Sequence, residues 1–360
     1  MNPVDFSHQL ASISFMKTHD TPEALLRLWG NYQPTPLVKL LELAAELGVA
    51  KVIVKNEAKR PLGSFKSLGG MYAGLRALAR HTGADGIEAM IASGPHRNLP
   101  ALICASDGNH GLAVAAGAKL AGAPARVYLP ASVPQTRANR IAGEGAEIVR
   151  VDGTYEDAVA AAAKAVKNGE GILIADTTEL SHEPAVADVM EGYSIIAKEI
   201  ATLIEDGSCL PPTHIFLQAG VGGFAAVMAD GLLAHLVAPA RIIIVEPETA
   251  ASIKAGLAKG HVVLFPGMLE TSAEMLACGE ASAPALARLI HHKATGMTVT
   301  EGALHRAVTK LGEHGIPTTP SGATGMAGLM SGLAGRVDNL LQLDSSSRVL
   351  IFVTEGPIPV

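Results

Sequence analysis

Aromatic residues make up only 4% of the 360 residues, with a single tryptophan. So few rings argue against an aromatic-rich β-sandwich and for close packing of helices on sheets. Cysteine is scarce. Cys104, Cys209 and Cys278 are odd in number and far apart, so no disulfide framework is expected and a reducing, cytoplasmic setting is. No CxxC or HExxH cluster occurs, and no metal centre is expected. Charge is also sparse, at 17% of residues with a net value of −6, which excludes a basic nucleic-acid footprint. No uninterrupted apolar run reaches the ~18 residues of a membrane helix. The first residues, MNPVDFSHQL, lack the basic start and apolar run of a signal peptide.

What the chain has is aliphatic bulk. Hydrophobic residues make up 48%, and there are 38 glycines. Short β-branched runs read as strands: VIVKNE (52–57), LICAS (102–106), RVYLP (126–130), EIVRVD (147–152) and ILIAD (172–176). HIFLQAG (214–220), RIIIVEP (241–247) and RVLIFVTEG (348–356) follow. Alanine-rich stretches between them, such as 111–123 and 155–169, read as helices. Apolar strands interleaved with helices predict parallel βαβ units buried on both faces. The Gly- and Pro-broken stretch 82–100 reads as a surface excursion. The length suits two domains of roughly 100–200 residues each.

In open α/β sheets ligands bind beyond the carboxyl ends of the strands, and four unusual stretches fall at such ends. The first, 106-SDGNHG-111, opens a helix. Its side chains suit an ordinary helix cap, or a loop whose N–H groups hold an anion. The second, 219-AGVGGFAA-226, has glycines at 220, 222 and 223. That spacing matches neither GxGxxG nor GxxxxGK[ST] but permits close backbone approach to a phosphate. The others are 317-PTTPSGATGMAGL-329 and 353-VTEGP-357, which put hydroxyls beside glycine. Earlier, in 63-GSFKSLGG-70, Lys66 opens an apolar helix. A lysine there either snorkels to water or presents a reactive amine.

Taken together, these stretches point to pyridoxal 5'-phosphate. That cofactor needs a lysine for its aldehyde, donors for its phosphate, and partners for its ring nitrogen and phenolic oxygen. Lys66 can supply the amine. Gly220, Val221, Gly222, Gly223 and Phe224 can form the phosphate cradle, in which a carboxylate at position 222 would add repulsion. Asn109 can reach the phenolic oxygen and Thr354 the ring nitrogen. A hydroxyl cannot hold a full pyridinium charge as a carboxylate would, which favours loss of a β-substituent.

On TPLVKL (35–40), SFK (64–66), DGNHG (107–111), the glycine loop and PSGA (320–323), in that order, the chain resembles the fold type II pyridoxal-phosphate enzymes. This is the tryptophan synthase β/serine dehydratase superfamily. Within it, FKSLGG, SDGNHG, QAGVG, VEPE, ACGE and TEG resemble the signatures of the diaminopropionate ammonia-lyase family. The resemblance implies two three-layer α/β/α domains with mainly parallel sheets and the cofactor in the cleft between them. The large domain would comprise 1–70 and 154–360, and the small one 71–153. It implies α,β-elimination of a small β-substituted amino acid, 2,3-diaminopropionate-like, to a 2-oxo acid and ammonia, with a dehydratase or racemase as the alternative. It also implies a homodimer.

By the same resemblance Lys66 is the Schiff-base lysine and a base on one face. Asp107 is a carboxylate on the opposite face, and Asp176 lies near the substrate's β-amine. Ser106, Asp107, Gly108, Asn109 and His110 hold the substrate carboxylate. The chain also departs from that family. Thr178 to His182 replace an AWEGY run, RPLGSFK replaces RFGLNAFK, and Cys278 lacks a cysteine partner in 248–256. Met275, Met326 and Met330 are core candidates, and His291 and His292 are expected at an exposed helix end.

Overall fold

The computed structural model describes residues 20–106, 108–267, 269–335 and 340–357. Asp107 lies outside them. The chain begins with α1 (Pro22–Leu28), β1 (Leu37–Lys39), α2 (Leu41–Leu47), β2 (Lys51–Asn56), α3 (Lys66–Thr82) and α4 (Ile87–Ala92). Then come β3 (Ala101–Ala105), α5 (Asn109–Ala121), β4 (Ala125–Pro130), α6 (Gln135–Gly143), β5 (Glu147–Val151), α7 (Tyr155–Lys167) and β6 (Gly171–Leu173). Next are α8 (Pro184–Glu205), β7 (His214–Gln218), α9 (Gly223–Leu232), β8 (Arg241–Pro247), α10 (Ser252–Lys259) and α11 (Ala283–His291). The last are β9 (Thr295–Val299), α12 (Glu301–Glu313), α13 (Pro320–Ala334) and β10 (Arg348–Val353).

The strands form two sheets. The larger runs β1-β2-β10-β7-β8-β9, parallel except for the β1–β2 pair. The smaller runs β5-β4-β3-β6 and is parallel throughout. It takes in β6 at 171–173, beyond the residue 153 at which the sequence reading ends the small domain. Side chains alternate across each strand, so both faces of the larger sheet are apolar. Leu350 and Phe352 enter one buried cluster, while Val349, Ile351 and Val353 enter another with α12 and α13. In the smaller sheet Leu102 and Cys104 face the first cluster, while Ile103 packs with Ala158, Ala162 and Ala165 of α7. That gives helix, sheet and helix layers in each unit, the architecture expected from the alternating pattern. The excursion 82–100 contains a helix, α4, whose Ile87 and Met90 are fully buried.

The placement of Lys66 depends on two glycines. A Cβ at Gly69 would come within 2.4 Å of Tyr193 Cε1, and one at Gly70 within 2.6 Å of Ala113 Cβ. The pair therefore lets α3 lie hard against α8 and α5, with Lys66 as its first residue.

A buried ion network anchors the segment leading into α3. Arg60 donates to both oxygens of Glu199, at 2.7 and 2.9 Å, and to both of Glu57, at 2.7 and 2.8 Å. Lys55 is fully buried, pairs with Glu199 and donates to the Thr35 carbonyl at 2.8 Å. Two cations face two carboxylates, so the charges balance. Glu199→Ala leaves both cations without their shared partner, and breaking such a pair costs about 3–5 kcal/mol. Urea unfolding should show a loss of that size with the slope unchanged.

Candidate active site

A pocket opens where the carboxyl ends of the two sheets meet. Ser106 follows β3, Asp176 lies beyond β6, Gln218 ends β7 and Thr354 follows β10, and all four line it. Lys66, Gly108, Asn109, His110 and residues 220 to 224 line it too. Every described residue singled out from the sequence as a site candidate is thus gathered in one place.

Lys66 Nζ donates to Asp176 Oδ2 at 2.6 Å, and the two side chains are only 22% and 13% exposed. Burial opposes the charge on Lys66, but the Asp176 carboxylate outweighs it and holds the amine above its usual pKa. Burial likewise opposes charge on Asp176, and Lys66 and His110 together hold it well below the usual carboxylate range. His110 Nε2 donates to the Ile174 carbonyl at 2.8 Å, which fixes the tautomer. Its Nδ1 stands 4.0 Å from Asp176 and has no hydrogen-bond partner. Burial keeps this imidazole below its ordinary pKa, against the pull of Asp176. Phe65 packs on Tyr193 and Phe224, at ring separations of 4.9 and 4.7 Å, and its ring centre lies 5.6 Å from Lys66 Nζ.

The glycine loop joins β7 to α9. Gly222 sits in the left-handed region at φ 94°. Ser282 N–H donates to the Val221 carbonyl at 2.9 Å, and Ala226 N–H to that of Gly222 at 2.9 Å. Two of the loop's carbonyls are therefore engaged. Among the described residues no backbone carbonyl accepts the N–H of Gly220, Val221 or Gly222. Unpaired N–H groups beside a helix N-terminus are anion-binding groups. The direction of Gly222 differs from the sequence expectation. A Cβ there would point at Ile253 Cδ1, 2.6 Å away, and Ala285 Cβ, 3.4 Å away, neither of which lines the pocket. The left-handed backbone turns that position away from the cradle.

Thr354 Oγ1 accepts a hydrogen bond from Gln218 Nε2 at 3.0 Å. The same nitrogen lies 3.0 Å from the Phe352 carbonyl and 3.1 Å from that of Gly322. Carbonyls only accept, so they fix the amide with its nitrogen towards Thr354. The Thr354 proton is left free to be donated into the pocket. Ser106 Oγ accepts from the N–H groups of Gly108 and Gly111, at 3.0 and 2.8 Å, and so shapes the DGNHG turn. Asn109 Nδ2 donates to Glu355.

Several pocket residues were not picked out as site candidates, among them Tyr193, Tyr155, Gln218 and Glu355. Gln218 and Glu355 stand inside the QAGVG and TEG stretches. Tyr193, in the middle of α8, carries no local signal. The run Thr178 to His182 does not line the pocket, and Leu180 is 61% exposed. Glu246 of VEPE is buried away from it and caps α10, accepting from Ile253 and Lys254 N–H at 2.8 Å each. Among the described residues Cys104, Cys209 and Cys278 form no disulfide. Met326 is a core residue, whereas Met275 lines the pocket. His292 is bound to Asp230.

A primary amine, a row of free N–H groups, a hydroxyl proton and a side-chain amide around one pocket are the donor set that pyridoxal phosphate requires. Comparison with known proteins agrees. Residues 28–355 match the family described as pyridoxal-phosphate dependent enzyme. The diaminopropionate ammonia-lyase of Escherichia coli K12 is 34% identical over 257 residues, 69% of this chain and 63% of that protein, so under two thirds of the relative's length is matched. The Salmonella typhimurium diaminopropionate ammonia-lyase is 31% identical over 351 residues, 91% of this chain and 86% of that protein. The crystal structure of the Escherichia coli enzyme in complex with D-serine superposes with a TM-score of 0.83 at 29% identity, covering 95% of this chain and 91% of that one. Maize serine racemase, at 21% identity and a TM-score of 0.75 over 94% of this chain and 92% of that one, shares the fold. By sequence, fold and donor set, this chain belongs to the pyridoxal-phosphate dependent enzymes.

Proposed function

We propose that the protein is an ammonia-lyase that removes the β-substituent of a small amino acid, 2,3-diaminopropionate-like, and releases a 2-oxo acid and ammonia. The observation that carries this reading is the Lys66–Asp176 pair in the pocket. It sets an amine and a carboxylate side by side, and once Lys66 is engaged with the cofactor the carboxylate is free to meet a cationic β-amine. A panel of D- and L-β-substituted amino acids, scored for 2-oxo acid and ammonia, tests it. Absence of turnover on every β-amino member, with turnover on β-hydroxy ones, makes the protein a dehydratase instead.

In this reading Lys66 holds the cofactor's aldehyde carbon, and the N–H groups of Gly220 to Gly223 hold its phosphate. Phe224 lies beside them, Asn109 meets the phenolic oxygen and Thr354 donates to the ring nitrogen. Pyridoxal phosphate, when bound, takes up the electron density released at the substrate's α-carbon. Lys66 Nζ takes the α-proton on one face and the Asp107 carboxylate on the other. Ser106 and Gly108 shape the turn, and the backbone N–H groups of Asn109 and His110 orient the substrate's carboxylate. Asp176 binds the β-amine and keeps it protonated as it leaves. Phe65, Tyr193 and Phe224 exclude water. The proposed setting is a cytoplasmic homodimer with the cofactor in the cleft between a large and a small domain. Light scattering at assay concentration tests the dimer.

Two predictions follow from these roles. Removal of a general base costs roughly 10²–10⁴-fold in rate. Asp107→Asn should therefore slow one enantiomer, D on this assignment, by about that factor, with much less effect on the other. Kinetics on both enantiomers of one substrate, at matched cofactor occupancy, read this out. Equal losses reduce Asp107 to a loop residue. Thr354→Val removes one hydrogen bond, worth about 0.5–1.5 kcal/mol net, so cofactor binding should weaken modestly without vanishing. Fluorescence titration of the cofactor-free protein measures it. Unchanged affinity assigns the ring nitrogen to another residue.

A further inference from the structure

Glu355 is a pocket-lining carboxylate, 5% exposed, with no part in the reaction as described. Its backbone is tied to the segment that delivers Lys66. It pairs with Ser64, while Phe65 N–H donates to the Thr354 carbonyl at 3.1 Å and Gly356 N–H to that of Gly63 at 2.9 Å. Thr318 Oγ1 donates to the Glu355 carbonyl at 2.6 Å. Nothing in this backbone arrangement needs a carboxylate side chain.

Both carboxylate oxygens are nonetheless used. Thr319 Oγ1 accepts the Gly322 N–H at 3.1 Å, so its single proton is left for Glu355 Oε1. Oε2 accepts from Asn109 Nδ2. Asn109 is the first residue of α5 and belongs to the unit of the smaller sheet. Glu355 follows β10 in the larger one. The contact therefore bridges the two units across the pocket. Burial pushes the Glu355 carboxyl above its ordinary pKa, against the hydrogen bonds from Thr319 and Asn109 and the charges of Arg137 and Arg140 of α6. Both carboxyl oxygens already accept, Oε1 from Thr319 and Oε2 from Asn109, so the amide meets Glu355 with its nitrogen end. One N–H is then committed to Glu355, and the second is left to the pocket.

We propose that Glu355 is a positioning residue, which fixes Asn109 as a hydrogen-bond donor to the phenolic oxygen of the bound cofactor. The inference rests on the pyridoxal-phosphate reading of the pocket. A donor to that oxygen favours its ionised form, which absorbs at longer wavelength than the neutral phenol. The ratio of the two bands reports the Asn109 amide directly, without turnover.

The test reconstitutes cofactor-free wild type, Asn109→Ala, Glu355→Gln, and the double variant Asn109→Ala with Glu355→Ala. Glu355→Gln keeps the shape but can accept at only one oxygen, so it cannot serve Thr319 and Asn109 together. Asn109→Ala should shift the ratio towards the neutral form roughly two- to twelvefold, the factor one neutral hydrogen bond is worth. Glu355→Gln should shift it in the same direction. The double variant should match Asn109→Ala alone, because Glu355 acts only through that amide. A Glu355→Gln spectrum identical to wild type, beside a shifted Asn109→Ala, overturns the inference. So does a double variant that shifts well beyond Asn109→Ala. If wild type shows neither band and borohydride fixes nothing to Lys66, the cofactor reading itself fails and takes the inference with it.

Discussion

Lys66→Ala should lose covalent attachment of the cofactor altogether, and turnover should fall by at least about 10⁴-fold, the upper end of what a lone general base is worth. The expectation combines three losses. The amine that bonds the aldehyde is gone. The base for one face is gone. Asp176, only 13% exposed, is left as a buried carboxylate without its 2.6 Å partner. An uncompensated charge in such a place is costly, so Asp176 in the variant takes up a proton more readily than in the wild type. Borohydride reduction followed by peptide mapping should label the Lys66 peptide in wild type and nothing in the variant. Lys66→Arg gives the complementary arm, because it keeps a cation beside Asp176 but supplies no amine able to condense. If Lys66→Arg retains the fold and loses the label, the defect is chemical and not a collapse of the pocket. A label on another lysine in wild type assigns the covalent site elsewhere.

The elements most legible in the sequence were those whose physics is local. Each run read as a strand forms one, and in the central strands β2, β7, β8 and β10 burial on both faces leaves a continuous apolar signature. The strands β1 and β9 escaped. In β1 only three residues pair, at a sheet edge, and in β9 Gly296 and two threonines dilute the signal. The chemical residues of the site were visible as residue types at strand ends, but their couplings were not. Lys66 and Asp176 are 110 residues apart and Asn109 and Glu355 are 246 apart, so only the fold brings either pair together. The buried network of Lys55, Glu57, Arg60 and Glu199 was missed for the same reason. Charged residues at scattered positions read as surface until the chain folds them onto one another. The direction of Gly222 also escaped, because a glycine's missing side chain points nowhere until its φ is known.

That direction changes how the glycine loop should fail. Gly222→Asp should lower cofactor affinity by roughly three orders of magnitude, by displacing the loop and not by repelling the phosphate from within the cradle. A non-glycine residue at φ 94° costs on the order of 1–3 kcal/mol. The new Cβ would also meet Ile253 Cδ1 at 2.6 Å, so that fully buried side chain has to shift as well. The carboxylate beyond it would enter the apolar contact between α10 and α11, where an unpaired charge costs several kcal/mol more. The loop relieves both by shifting, and the shift moves the N–H groups of Gly220 to Gly223 away from the phosphate. About 4 kcal/mol diverted in this way corresponds to a factor near 10³ in affinity. Gly222→Ala adds strain and crowding without charge and should lose roughly ten- to a hundredfold. Titration of the cofactor-free proteins, with their melting temperatures recorded beside it, separates loop from fold. A fall in melting temperature with cofactor affinity intact in both variants would place the phosphate site away from this loop. Graded affinity losses, with alanine milder than aspartate, are the expected result.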